Sequence, residues 1–371
     1  MSRQTSIDVL RAMAIAIMVT VHFIENLSGL YGDGERTILG VDYGWWLPTG
    51  FAAPTFALLS GMSYRLWSVV QKEKGYTDEM ISKRTIRRGL FLIGLGFMFN
   101  VLVWLPEDVF NWDILTLIGF ALLALNVVRQ MPESITILSA GLVIGISPVL
   151  RVMADYPAFW QSYYFDYDFT VSDVLLGWLV VGYFPVFPWL ALPLIGYVLA
   201  RILFIDSDKI QKIQICVIAL ISVVISFVLV MAWSVIPICI TGGSSRGWAM
   251  FPPSTPYLLG TLGTTTVVLM IVQRLLDKDA ERWKVCIQYI SPLSRYSLSI
   301  YLLHHIVHLW PLWFYGKTVL GDTTGLWQVA MPPAFSLSFA VGFLFLITVL
   351  FHWVYQHQVP TIETFMRWLC D

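Results

Sequence analysis

Apolar residues fill most of the chain in long runs that short polar segments separate. Ten of these runs come close to, or exceed, the about 20 residues that an α-helix needs to cross roughly 30 Å of hydrocarbon. The runs lie at residues 7–30, 46–70, 86–104, 113–129, 134–152, 174–203, 211–236, 256–276, 292–315 and 334–356. The pattern predicts an all-α, polytopic integral membrane helical bundle of about ten transmembrane helices, in a single domain over residues 1–371.

Three of the ten runs depart from a simple spanning helix. The fourth and fifth are short for a span. The sixth contains Phe184-Pro185-Val186-Phe187-Pro188-Trp189, and its two prolines interrupt any regular helix. A re-entrant turn followed by a full span would accommodate this stretch, because irregular backbone at membrane depth is tolerated only against protein or a cavity.

The composition agrees with a membrane protein. Hydrophobic residues make up 57% of the chain and charged residues only 13%, whereas soluble domains carry about a quarter charged residues. The 16 Trp and 16 Tyr suit rings that anchor at the headgroup level of a bilayer. The net charge of −1 gives no reason to expect a nucleic-acid partner.

The distribution of charge predicts an orientation. Lys and Arg gather in the polar segments 71–88, 201–212 and 274–284, and a ten-span count places all three on the side of both termini. Because Lys and Arg mark the cytoplasmic side, the N- and C-termini are predicted to face the cytoplasm. The segments on the other side carry acids: Asp33, Glu35, Asp42, Glu107, Asp108, Asp155, Asp166, Asp168 and Asp322.

The first predicted span carries the ionisable residues that attract most interest. Arg11 and His22 are eleven residues apart, close to three helical turns, so both project from one face about 16 Å apart. Glu25 and Asn26 follow His22 at i+3 and i+4, within reach of its imidazole. A carboxylate beside a histidine raises its basicity, which is what a general base needs.

Each of these residues also has a plain structural interpretation. Arg11 lies near the cytoplasmic end of the helix, where its guanidinium can reach the lipid headgroups. His22 and Glu25 can form a satisfied hydrogen-bonded pair between helices. An arginine, a histidine and an acid on one stripe nevertheless favour a functional site, because ionisable groups inside spans are costly.

Three further segments carry candidate chemistry. The run Lys83-Arg84-Thr85-Ile86-Arg87-Arg88 fits ordinary cytoplasmic charge, or a phosphate clamp in which Arg84 shares a helical face with Arg87 or Arg88. Ser60-Gly61 allows the close approach of a helix or a ligand. His304 and His308 share a face at i, i+4, but without HExxH or a nearby Cys or carboxylate they predict a polar cavity rather than a metal site.

Four stretches and one short basic motif resemble one family. Ile7-Asp8-Val9-Leu10-Arg11-Ala12-Met13-Ala14-Ile15, running on to Met18-Val19-Thr20-Val21-His22-Phe23, is similar to the opening of the heparan-α-glucosaminide N-acetyltransferase catalytic-domain family, within the transmembrane acyltransferase superfamily that includes the bacterial acyltransferase-3 proteins. Arg11 with ten residues before His22, and Arg84-Thr85-Ile86-Arg87, match the superfamily's Arg-x10-His and Arg-x-x-Arg patterns. Supporting stretches are Pro54-Thr55-Phe56-Ala57-Leu58-Leu59-Ser60-Gly61, Phe184 to Trp189 and Tyr296 to His304.

The resemblance implies an enzyme that moves an acyl group, in the first instance acetyl, from cytoplasmic acyl-CoA to a sugar or glycan on the far side of a plasma (bacterial inner) membrane. His22 and Glu25 are then the catalytic candidates, and no metal is expected. The donor-binding candidates are Arg11, Ser60, Arg84, Arg87 and Arg88. The acceptor-positioning candidates are Asn26, Trp189 and His304. The acyl group, the acceptor, O- or N-transfer, an acyl-histidine intermediate and the oligomeric state, including a homodimer, are left open.

Two other classes of function compete with the enzyme. A proton-coupled transporter would use His22, Glu25 and His304 as a relay, and it predicts an internal repeat that the sequence does not show. A non-catalytic membrane scaffold would not need ionisable residues on one helical stripe. The sequence therefore favours the acyltransferase.

Overall fold

The chain is all-α in the computed structural model, which describes residues 4–29, 37–38, 41–42, 50–104, 108–161, 164–206, 208–244, 246–278 and 280–371. Each of the ten predicted apolar runs contains helix. Residues 46–49 of the second run and the acids Asp33, Glu35 and Glu107 lie outside the described residues.

The first part of the chain forms long helices joined by short connections. They are α1 (Thr5–Ser28), α2 (Ala52–Glu73), α3 (Asp78–Val103), α4 (Ile114–Val128) and α5 (Glu133–Met153). Two antiparallel pairs of two-residue strands accompany them: β1 (Thr37–Ile38) with β2 (Val41–Asp42), and β3 (Trp160–Gln161) with β4 (Tyr164–Phe165). A 3-10 turn over Tyr156–Phe159 precedes β3.

The second part alternates short and long helices. They are α6 (Val171–Leu176), α7 (Val186–Trp189), α8 (Ala191–Ala200), α9 (Lys209–Met231), α10 (Ile238–Thr241), α11 (Thr255–Lys278), α12 (Ala280–Arg295), α13 (Ser297–Tyr315), α14 (Pro333–His357) and α15 (Ile362–Cys370). Single π turns cover Gly177–Val181, Arg201–Ile205 and Gly316–Leu320, and a 3-10 turn covers Trp233–Val235.

Seven segments of the described residues are long and apolar enough to cross a membrane: α1, α3, α5, Val171–Ile205, α9, α11 and α14. Helix α4 is apolar, but its 15 residues are shorter than a span requires. The count of ten spans and the orientation therefore stay predictions. Large apolar side chains such as Phe227 on α9 and Phe345 on α14 are exposed, which suits contact with lipid.

The boundaries of α3 correct one sequence prediction. The sequence predicted a loop before the third span that includes Lys83 to Arg88, but the helix already begins at Asp78. The hydroxyl of Thr77 accepts a hydrogen bond from the backbone N–H of Met80, and two acids occupy the first turn. This cap and the favourable helix dipole explain the early start. The basic residues therefore project from a rigid helix.

The interrupted sixth run is confirmed. Helical structure from Val171 ends in a π turn at Val181, resumes at Val186, and continues from Ala191. The backbone N–H of Phe184, inside the gap, donates to the carbonyl oxygen of Trp112 at 3.0 Å. A neighbouring segment thus satisfies a backbone group that the broken helix leaves over.

Contacts divide the chain into two compact units. Residues 54–271 with 370–371 form one, which we call the central unit. The described residues of 2–53 with 272–369 form the other, the terminal unit. In the central unit, Gly61 and Gly196 bring α2 and α8 together so closely that a Cβ on either glycine would lie 2.0 Å or less from a backbone carbonyl oxygen of the other helix.

Candidate active site

His22 lies in the terminal unit and contacts a second histidine. Its Nδ1 is 2.8 Å from Nε2 of His304, which projects from α13. His304 is fully buried, and its own Nδ1 is 3.2 Å from the backbone carbonyl oxygen of Ile300, one turn earlier in α13. We use the name histidine relay for this series of hydrogen bonds, which runs from His22 through His304 to the carbonyl oxygen of Ile300.

The relay fixes the proton positions. A carbonyl oxygen only accepts, so Nδ1 of His304 carries its proton and its Nε2 offers a lone pair when the ring is neutral. That lone pair accepts from His22, so Nδ1 of His22 is the protonated nitrogen. Nε2 of His22 therefore presents an unprotonated lone pair, which is the form that a general base or a nucleophile needs.

A second chain of hydrogen bonds runs beside the first. Nδ2 of Asn26 is 2.8 Å from Nε2 of His308, whose Nδ1 is 2.5 Å from the carbonyl oxygen of His304. Oδ1 of Asn26 accepts from the indole N–H of Trp327 at 3.1 Å. Asn26 was predicted to lie within reach of His22, but both ends of its amide bond to other side chains. Its role in positioning the acceptor stays a prediction.

The two series of hydrogen bonds join α1 to α13 in the same register. His22 pairs with His304 and Asn26 pairs with His308, each across 282 residues, so α1 and α13 run in parallel along this contact. The first and ninth spans of a ten-span bundle have to cross in the same direction, and the parallel register meets that condition. Three histidines of α13, His304, His305 and His308, are buried here.

Glu25 does not make the contact that the sequence predicted. The described residues show no hydrogen bond between Glu25 and His22, and the Nδ1 position that a carboxylate would take belongs to His304. Glu25 is half-buried one turn further along α1. Its role in catalysis stays a prediction.

Arg11 lies on the same side of α1 as His22, as the eleven-residue spacing predicted. Arg11 bonds to Ser294 on α12, and His22 bonds to His304 on α13, the next helix. Nη1 of Arg11 is 3.8 Å from the carboxylate of Asp8 and donates to the hydroxyl of Ser294 at 3.2 Å. Ser294 in turn donates to Asp8 at 2.7 Å. A role of Arg11 in binding the donor stays a prediction, and an incoming phosphate would compete with Asp8.

The basic cluster of the central unit is organised around one acid. Nη2 of Arg88 donates to both carboxylate oxygens of Asp371, at 2.5 and 2.8 Å, and Arg84 donates to its main-chain oxygen at 3.3 Å. The guanidinium of Arg88 lies over the ring of Trp67, 4.6 Å from its centroid. That of Arg84 lies over the ring of Tyr76, 4.2 Å from its centroid. We call Arg84 and Arg88 the arginine pair. Arg87 is exposed, and no hydrogen bond links it to Asp371 among the described residues.

Two other predicted site residues of the central unit have structural surroundings. The hydroxyl of Ser60 donates to the carbonyl oxygen of Ala57 at 2.7 Å, within its own helix. Trp189 is completely buried and packs edge to face against Phe184 and Tyr257. Roles for Ser60 with the donor and for Trp189 with the acceptor stay predictions, and both residues contribute to packing.

The histidines could also hold a metal ion. The nearest ligand nitrogens of His22, His304 and His305 all lie within 4.8 Å of one another. Neutral imidazoles suit zinc and similar ions, which sit about 2.0–2.1 Å from each nitrogen. The separation of 2.8 Å between His22 and His304 is that of a hydrogen bond. The expectation of a site without metal stays a prediction.

Sequence reasoning missed most partners of the site. His305, Trp327, Asp8 and Ser294 were not singled out, and the direct contact between His22 and His304 was not predicted. One signal was present: α1 and α13 each carry a polar pair at i, i+4, and two such pairs satisfy each other when the helices pack side by side.

Comparison with known families gives a result for about the first three fifths of the chain. The model of the family described as "Heparan-alpha-glucosaminide N-acetyltransferase, catalytic" matches residues 3–227. The match includes Arg11, His22, Glu25 and the arginine pair, whereas His304 lies beyond it. No curated protein matches the chain. Because the family model covers more than half of its length, the chain belongs to the heparan-alpha-glucosaminide N-acetyltransferase catalytic family, a family of membrane transferases.

Proposed function

We propose that this protein transfers an acyl group, in the first instance acetyl, from acyl-CoA to a hydroxyl or amine of a sugar or glycan. The observation that carries the proposal is the histidine relay, which leaves Nε2 of His22 with a free lone pair. Membership of an acetyltransferase family supports both the acetyl group and a sugar acceptor.

His22 acts first as a base and then as an acid. Its Nε2 takes the proton from the acceptor O–H or N–H while the acceptor oxygen or nitrogen attacks the thioester carbonyl carbon. The carbon–sulfur bond then breaks, and the CoA thiolate takes the proton from the imidazolium. Proton transfer of this kind contributes typically about 100- to 10,000-fold in rate.

His304 keeps His22 in the productive tautomer throughout this cycle. The lone pair on its Nε2 holds the Nδ1 proton of His22, and this hydrogen bond becomes charge-assisted when His22 turns into an imidazolium. The backbone carbonyl of Ile300 holds the second imidazole in place. A variant mechanism, in which Nε2 of His22 attacks the thioester and carries the acyl group itself, uses the same tautomer.

The direct test is His22→Ala in purified, folded protein. Transfer should fall by at least about 100-fold while acyl-CoA binding stays unchanged. His357→Ala is the control, because this exposed histidine near the end of α14 bonds only to a backbone carbonyl one turn away in the described structure. Wild-type turnover in folded His22→Ala would refute the assignment. Trapping acylated His22 by mass spectrometry after mixing with donor alone separates the two mechanisms.

We further propose that the donor binds from the cytoplasm and that the acceptor lies on the opposite side. The support is the charge asymmetry of the polar segments. Single cysteines at Lys74 and Asp166, both exposed, test it in sealed vesicles. Cys286 is a free, exposed thiol and has to be replaced first. Labelling of both positions from the same side would overturn the ten-span orientation.

A proton-coupled transporter remains the second candidate, because hydrogen-bonded histidines can also pass protons. The histidine relay is the observation that favours it. It predicts acceptor-dependent proton uptake into vesicles without release of free CoA. Release of one CoA thiol for each acceptor modified, without proton movement, would instead support the transferase.

A further inference from the structure

Arg151, near the end of α5 in the central unit, is almost completely buried, with 1% of its surface exposed. Nη1 of its guanidinium donates to the carbonyl oxygen of Pro253 at 2.8 Å and to the hydroxyl of Ser147 at 3.3 Å. Its Nε and Nη2 are buried and have no hydrogen-bond partner within the part of the chain that the structure describes. Acyl transfer by the histidine relay makes no use of this residue.

A guanidinium in such a place calls for a counter-ion. Arginine keeps its proton under ordinary conditions, and an unpaired buried charge is strongly destabilising. Among the described residues, no carboxylate forms an ion pair with Arg151. Nε and Nη2 form one edge of the planar fork, and two parallel N–H groups on such an edge match the oxygens of a carboxylate, sulfate or phosphate.

Tyr156 supplies a second donor in the same neighbourhood. Its hydroxyl is buried and has no partner in the described structure. Burial raises the pKa of Tyr156 well above the ordinary value, although the nearby charge of Arg151 acts in the opposite direction. The phenol therefore keeps its proton, so its O–H is available to an anion.

The backbone beside this edge of Arg151 carries no side chain at Gly242. Gly242 has a φ of +61°, and a Cβ at this position would lie 2.7 Å from both Nε and Nη2. Any residue other than glycine would therefore place its side chain against the two free N–H groups. Gly243, with a φ of +76°, has open space around the position of its missing Cβ.

We infer that Arg151 and Tyr156 form a binding site for an oxyanion group, held by the Nε–Nη2 edge of the guanidinium and by the phenolic O–H. Two sources could supply the same chemistry. One is a free oxyanion or the acidic group of a soluble ligand, and the other is the phosphate of a lipid headgroup. The inference is independent of the proposed transferase activity, because it concerns binding alone.

Sodium sulfate is the probe for the first source, with sodium chloride at matched ionic strength as the reference. The readout is the midpoint of thermal unfolding of the full chain in a neutral detergent. Sulfate should raise the wild-type midpoint in a saturable way. Arg151→Lys keeps the charge but loses the fork, and should need at least about tenfold more sulfate for the same rise. Arg246→Gln removes an exposed charge nearby and should respond like wild type.

Nanodiscs of phosphatidylcholine, with or without phosphatidylglycerol, test the second source by the same readout. A stabilisation by phosphatidylglycerol that Arg151→Lys loses would support the site and identify a lipid phosphate as its occupant. Tyr156→Phe, which deletes one hydroxyl, carries the test if Arg151→Lys does not fold, and should weaken the response several-fold. Equal responses of wild type and the folded variants to both probes would overturn the inference.

Discussion

The centre of the terminal unit and the basic end of the central unit handle polar groups in opposite ways. In the histidine relay, His304 is buried and both of its ring nitrogens have a partner, Nε2 of His22 is left free among the described residues, and no formal charge is required. At the basic end of the central unit, each of three acids bonds to two cationic residues. Asp371 bonds to Arg84 and Arg88, Glu133 to Arg65 and Arg201, and Asp78 to Lys72 and Arg129.

The difference separates a site that orients protons from one that can hold anions. A neutral relay whose central histidine is bonded at both ring nitrogens fixes a tautomer and excludes alternative geometries. Two cations around one acid keep an excess of positive charge, so a phosphate can replace or join the acid at little electrostatic cost. We therefore propose that the terminal unit carries out proton transfer and that the arginine pair holds the donor phosphates.

The largest effect after His22→Ala is expected from His304→Ala. It removes the acceptor for the Nδ1 proton of His22 and frees that ring to adopt the other tautomer. A hydrogen bond to a charged group contributes about 1.5–3 kcal/mol, so kcat should fall about 10- to 100-fold with an unchanged KM for acyl-CoA. Steady-state kinetics measures both.

His308→Ala is the matched control for His304→Ala. It breaks the neighbouring bond to Asn26, one helical turn away, and leaves the contact between His22 and His304 in place. Its thermal stability should fall while kcat stays within about threefold of wild type. Equal losses of kcat in both variants would show that packing of α13, rather than the tautomer of His22, limits turnover.

The sequence could predict the backbone of this arrangement but not its partners. Helix α1 and the faces of Arg11 and His22 follow from hydrophobic runs and helical period, which are local properties. The contact between His22 and His304 joins residues 282 positions apart, and it depends on how α1 and α13 pack. Local spacing therefore favoured Glu25 as the partner of His22, although the Nδ1 of His22 bonds to His304.

The missed helices α12 and α15 have a related explanation. Both mix charged and apolar residues, so neither stands out as an apolar run. The early start of α3 depended on a capping hydroxyl at Thr77 rather than on hydropathy. The role of Asp371 was invisible because charge patterning identified the basic residues without the acid that holds them.

A second, comparable effect is expected at the arginine pair. Arg84→Gln with Arg88→Gln removes both guanidinium groups that Asp371 bonds, and the affinity for CoA should fall about tenfold or more if they hold its phosphates. Lys83→Gln is the control, because Lys83 on the same helix pairs with Glu79 at 2.7 Å. Equilibrium binding of CoA to folded protein decides. An unchanged affinity in the double variant would remove the donor from this cluster.

A smaller effect of opposite sign is expected from Asp371→Asn. The variant releases Arg88 from its carboxylate partner, and partly exposed ion pairs contribute about 0.2–1 kcal/mol. CoA affinity should therefore rise up to about fivefold. Asp78→Asn adds the same charge near the start of α3 without freeing the arginine pair. A rise in Asp78→Asn equal to that in Asp371→Asn would indicate general electrostatics rather than competition for the arginine pair.

The smallest effect is expected from Glu25→Gln, and it tests the part of the site that local spacing predicted. The described residues show no bond between Glu25 and His22, because His304 takes the Nδ1 position. Loss of the carboxylate charge can then act only at a distance, and kcat should fall by no more than about threefold. The measurement is kcat for Glu25→Gln beside His304→Ala under the same conditions. A loss as large as that of His22→Ala would make Glu25 a catalytic residue that bonds to His22 or to substrate during turnover. The relay through His304 would then hold the ring in place without governing its basicity.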